Sequence, residues 1–143
     1  MKKVTWSSVA MVGAGGVLGC WLRYGLSEIL NPALLDLPLG TLAANWIAGF
    51  AMGCLIGVFQ TFERLPVELR LFTATGLIGG LSTYSTFSAE SIELLLAGHY
   101  GWFAAHLITH VVGTLALTLL GIYLMHRLFR ERYRQMDNPE PEQ

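Results

Sequence analysis

Charge is what this chain has least of. Asp, Glu, Lys and Arg make up 13% of its 143 residues, against 53% apolar ones. A soluble domain holds about a quarter charged residues, so the balance points to lipid rather than water as the surrounding solvent. The formal net charge of −1 carries no basic footprint for nucleic acid. Cysteine is nearly absent too. Cys20 and Cys54 both sit in apolar segments, which excludes a disulfide framework or zinc knuckle and leaves small packing residues. The chain also shows no nucleophile with a placed base, no phosphate loop and no paired carboxylates, so an enzyme is not expected. Proline is confined to breaks between apolar runs and to the C-terminal tail.

What is present is long apolar sequence. A membrane-crossing helix needs about 20 mostly apolar residues, and four such runs occur, at about 5–29, 38–61, 69–97 and 101–127. Asn31-Pro32 with Asp36-Leu-Pro38, the patch Phe62 to Pro66, and Gly98-His-Tyr-Gly101 separate them. Met1-Lys-Lys precedes apolar residues that continue as a full span with Gly and Trp, so the first run is expected to be a retained helix rather than a cleaved leader. The expected organisation is one all-α integral membrane domain, 1–128, with four transmembrane helices and a polar tail, 129–143. Four spans place both termini and the Arg64 loop on one side. Eight of the nine Lys and Arg residues then share that side and only Arg23 lies nearer the other, which puts the termini in the cytoplasm. Glycines recur every fourth residue at Gly15/Gly19, Gly49/Gly53/Gly57 and Gly76/Gly80. Such stripes allow close helix approach, and unused ones predict a dimer.

The third run is anomalous for a span. Gly76 to Glu90 holds three glycines, three serines, two threonines and a carboxylate. Lipid offers no hydrogen bonds, so such a run is tolerated only where it faces protein or water. A helix broken mid-span and lined with polar groups is a way to build an ion or solute path. Asn45, with Thr41 one turn earlier, reads either as interhelical glue or as an NH2 donor aimed at an anion. Tyr84 and Phe87 share a helix face, where ring edges can meet a small anion or simply fill a core. Ser85 and Thr86 add hydroxyls beside them. His106 and His110, four apart, read as an interhelical hydrogen-bonding pair, as an aqueous lining or, lacking further ligands on that helix, weakly as a metal pair. Arg23 either snorkels to headgroups beside Trp21 and Tyr24 or draws anions into a vestibule. Glu90, one turn past Phe87, is expected to be paired.

The run Gly79-Gly-Leu-Ser-Thr-Tyr-Ser-Thr-Phe-Ser-Ala-Glu90 closely resembles the signature of the Fluc (CrcB) fluoride channels. Gly16-Val-Leu-Gly-Cys-Trp-Leu-Arg-Tyr24, Gly40-Thr-Leu-Ala-Ala-Asn45 and the length in four spans fit the same pattern. The resemblance implies an antiparallel dual-topology dimer in a bacterial inner membrane, with two fluoride pores and a central structural sodium ion. It implies Asn45 as a pore-lining donor and Phe87 and Tyr84 as paired aromatics. Gly79 and Ser82 would give backbone carbonyls to sodium, and Arg23, Thr41 and Glu90 match family positions. Ser85, Thr86 and the fourth-span face with His106 and His110 would form a polar track. Passive export of fluoride that entered as HF follows from the same likeness. Tyr84 departs from the usual Phe, and the histidines stand where Tyr, Asn or Ser is usual, which predicts pH sensitivity. The charge bias also departs from dual topology, leaving a heterodimer with an oppositely inserted paralogue beside the homodimer. A small multidrug-type proton-coupled exporter is the rival reading. It requires a first-span carboxylate, and residues 4–27 contain none. A structural membrane subunit would leave the polar residues as glue.

Overall fold

The computed structural model describes residues 5–31, 37–62 and 65–130. Lys2, Lys3, Arg64 and the tail from residue 131, on which much of the charge bias rests, lie outside the described residues, as do Pro32 and Asp36. The described chain is helical, with no strand among its residues. Helix α1 is Trp6–Leu30, α2 is Leu39–Thr61 and α6 is Tyr100–Leu128. These three are long and apolar enough to cross a membrane. Between them, the third apolar run is built from pieces: α3 Val67–Arg70, a π-helical stretch Leu71–Ile78, α4 Gly79–Leu81, and α5 Tyr84–Leu96 after an interruption at Ser82 and Thr83.

Local chemistry sets the boundaries. The Thr5 hydroxyl accepts the Ser8 N–H at 3.2 Å and caps α1. The Asn31 side chain accepts the Gly40 N–H at 2.7 Å, tying the end of α1 to the start of α2. Pro66 immediately precedes α3 as its N-cap residue. Helix α5 ends in a Schellman arrangement: Gly98 adopts φ 75°, its N–H bonds the Leu95 carbonyl at 3.1 Å, and the His99 N–H bonds Leu94 at 3.0 Å. Only a residue at ease with positive φ closes a helix this way, so Gly98 separates α5 from α6.

Packing proceeds backbone against backbone. A Cβ on Gly53 would meet the Thr118 carbonyl, and Gly49 and Gly57 abut Thr114 and Met125. That stripe is therefore the α2–α6 seam, reinforced by the Thr118 hydroxyl bonding the Gly49 carbonyl at 3.0 Å. Gly15 and Gly19 meet Gly76 and Gly80 in the same manner, joining α1 to the π-helical stretch and α4. All three glycine stripes thus find partners within one chain, and the expectation that they were left over for a dimer is corrected. The buried core is small, centred on Ala44, Ala48, Ile78 and Leu81. Large apolar side chains point outward instead, Trp6 being 89% and Leu96 82% exposed, as suits contact with lipid or another protein. The molecule is a multi-pass membrane protein.

Candidate functional site

The site begins at the break. Ser82 (φ −74°, ψ 153°) and Thr83 (φ −147°, ψ 120°) are extended; the Ser82 N–H still bonds the Ile78 carbonyl at 2.9 Å, and the Thr83 backbone leaves the helical ladder. Two partners replace it. The Thr83 hydroxyl accepts the Thr86 N–H at 3.2 Å as the N-cap of α5 and donates to the Thr86 hydroxyl oxygen at 2.9 Å. Asn45, from the second turn of α2, pairs with the Thr83 backbone through both ends of its amide. Its Nδ2 donates to the Thr83 carbonyl at 3.1 Å, and its Oδ1 accepts the Thr83 N–H at 2.8 Å. A continuous helix would have directed that N–H to the Gly79 carbonyl, so Asn45 diverts it.

One reading of Asn45, interhelical glue, is therefore realised. The other is not displaced, because Nδ2 has a second hydrogen and Asn45 lines a cavity of about 510 Å³. Ser82, Thr83, Tyr84, Phe87 and His110 line it too, together with Thr114 and Thr118 of α6. Behind this wall the rings pack closely. Phe87 stacks on His106 at 5.2 Å between centroids and 21° between planes, and lies 4.8 Å from His110. Tyr84 lies 5.8 Å from Phe87 and is itself 80% exposed. Both imidazoles lie to one side of Phe87, His106 stacked on a face of the ring; the ring edges are the positively polarised part of the aromatic.

Beyond Phe87 lies a buried polar cluster. The Thr41 hydroxyl, 1% exposed, donates to Glu90 Oε1 at 2.6 Å. Glu90 Oε2 stands 3.8 Å from His106 Nε2, and His106 is fully buried. The expectation that Glu90 is paired holds through Thr41. Arg23 neither dangles nor reaches this cluster. Its Nε donates to the Gly80 carbonyl at 3.3 Å, placing positive charge at the end of α4, where backbone carbonyls point. Ser85 and Thr86 gather around Thr83 at the N-cap of α5 and do not line the cavity. Among the described residues no group of three His, Cys, Asp or Glu is assembled to hold a metal ion.

Three residues of the site were passed over in the sequence. Thr114 and Thr118 extend His106 and His110 at four-residue spacing, a polar stripe along α6 that periodicity could have revealed. Trp46, beside Asn45, donates its indole N–H to the Thr109 carbonyl at 3.0 Å and abuts Gly113. No local signal marks that contact.

A family model described as "CrcB-like protein, Camphor Resistance (CrcB)" matches residues 10–122. Curated relatives carry the name fluoride-specific ion channel FluC. One from Cupriavidus taiwanensis is 47% identical over 117 residues, 82% of this chain and 93% of the relative. Another from Nitrosospira multiformis is 48% identical over 115 residues, 80% and 90% of the two chains. A third from Paraburkholderia xenovorans is 46% identical over 125 residues, 87% and 98% of the two.

Proposed function

The chain belongs to the CrcB family, and from that premise we propose that it is a channel through which fluoride leaves the cytoplasm passively. It is not an enzyme. The observation that carries this reading is the cavity walled by Asn45, Tyr84 and Phe87 beside the broken third segment, together with the fluoride-channel name its relatives bear. Fluoride is small and strongly hydrated, so it enters a dry passage only where fixed donors replace its water. The second Nδ2 hydrogen of Asn45 and the edges of Phe87 and Tyr84 are such donors. Because the Thr83 pairing already orients Asn45, they need no rearrangement as the ion arrives. Thr41, Glu90 and His106 form the polar cluster beyond Phe87, and His110 lines the cavity beside it.

Segments 67–81 and 84–96 together form the third of four spans in this reading. Assembly is an antiparallel dimer in the bacterial inner membrane with two pores. The exposed Tyr84 and the open cavity suit cover by a second copy. The eight-to-one charge count favours a single orientation and hence keeps the pairing with a paralogue as the second reading. A sodium ion at the dimer centre fits the donor set. The Gly79 carbonyl has lost its helical N–H to Asn45, Ser82 is extended, and a Cβ on Gly79 would meet nothing within 4 Å in one chain. Carbonyl oxygens are hard ligands suited to a hard cation; the Gly79 and Ser82 carbonyls would hold sodium, which would supply a fixed positive charge.

Fluoride efflux from liposomes holding the purified protein, with chloride-loaded controls, tests the function. Fluoride should leave and chloride stay; equal fluxes would overturn selectivity. Phe87→Ile should abolish efflux while the protein elutes from a sizing column as the wild type does, and undiminished efflux would remove Phe87 from the path.

A further inference from the structure

The imidazole of His110 carries information about its hydrogens. Its Nδ1 lies 3.1 Å from the His106 carbonyl oxygen, which can only accept, so Nδ1 bears the hydrogen. In the neutral ring Nε2 is then a bare lone pair. That nitrogen is buried and has no hydrogen-bond partner, in a side chain that is 4% exposed and lines the cavity. A lone pair repels a passing anion, whereas a protonated Nε2 is a charged donor to one. We propose that His110 is an acid-activated anion station, binding a proton and a fluoride ion together beside Phe87.

The inference rests on the fluoride-channel reading and adds the proton to it. No bond is made or broken in fluoride; the proton sits on Nε2 and the anion accepts from it. The surroundings limit the charge to one. The His106 ring is 4.2 Å away between centroids, so two imidazolium rings would repel. Helix α5 faces the pair with Glu90 and the Tyr84 phenol, and α2 faces it with Thr41 and Asn45, neither of which titrates. A fluoride ion held at Nε2 offsets the burial of the imidazolium, and by reciprocity a proton tightens fluoride.

Protonation of His110 should open the station, so efflux measured at equal pH on both sides should rise roughly threefold or more as pH is lowered from about 8 to about 4. Protein-free vesicles subtract HF leakage. His110→Gln presents an uncharged amide in place of the titrating ring and should flatten this profile. A second measurement does not depend on the variant's conductance. In ¹⁵N-histidine-labelled wild type, fluoride should move the His110 titration midpoint upward relative to chloride. A conducting wild type with a flat profile, a His110→Gln profile as steep as wild type, or a midpoint indifferent to fluoride would each overturn the station while leaving the channel intact. A wild type that conducts no fluoride at any pH would overturn the channel reading and the station with it.

Discussion

Removing the Asn45 side chain perturbs stability and conduction at once, because one amide both closes the break and lines the cavity. Asn45→Ala deletes both bonds to Thr83, at 3.1 and 2.8 Å. The Thr83 N–H and carbonyl then lie in extended backbone with no ladder to rejoin. An orphaned polar group costs about 1–3 kcal/mol when buried; these two are part-buried, so the pair should fall toward the lower end of about 2–6 kcal/mol. At about 1.4 kcal/mol per tenfold, the folding equilibrium should shift by roughly 30-fold to more than 10⁴-fold. Unfolding by graded addition of SDS to detergent-solubilised protein reads that shift, and liposome efflux reads conduction in parallel. Both should be lost together, because the amide that meets the ion is held by the bonds that close the break. Asn45→Ala with stability within about 0.5 kcal/mol of wild type would refute the pairing, since that is the scatter of an inconsequential surface change.

Other expectations follow from single contacts. Gly53→Ala drives a Cβ into the Thr118 backbone, which cannot rotate away, and should cost about 1–3 kcal/mol in the same SDS assay. Gly101→Ala, with nothing within 4 Å, should change stability by less than about 0.5 kcal/mol. Thr41→Val removes the 2.6 Å bond to Glu90; a loss of about 1–3 kcal/mol with slowed efflux is expected, and unchanged efflux would place Glu90 off the path. Trp46→Phe keeps the ring but drops the N–H to the Thr109 carbonyl. It should lose about 1 kcal/mol and slow efflux by shifting α6 and its histidines relative to Phe87; wild-type efflux would deny Trp46 that positioning role.

Helices and their limits were legible because they depend on neighbours in sequence. Apolar runs, Pro66 and Gly98 act over one turn, and the expected spans differ from the observed helices by at most two residues at their ends. The break was legible for the same reason, since Gly79, Gly80 and the hydroxyl run weaken a helix from within. What the break is bonded to was not. Asn45 and Thr83 are 38 residues apart, and an amide in hydrocarbon announces only that it needs a partner. Glycine stripes likewise declared close packing but not against which helix. Gly53 meets Thr118 rather than a second chain, because shape complementarity between α2 and α6 is a property of the assembled surfaces. Sequence by itself thus determined a membrane setting, the helical segments and an interruption in the third, all products of local hydropathy and backbone freedom. Only the tertiary structure decided that Asn45 fastens that interruption, that Phe87 lies against two imidazoles, and that Thr83 caps α5 with Ser85 and Thr86 gathered around it. Each of these turns on which groups meet across helices, where an unpaired polar group has no water to fall back on.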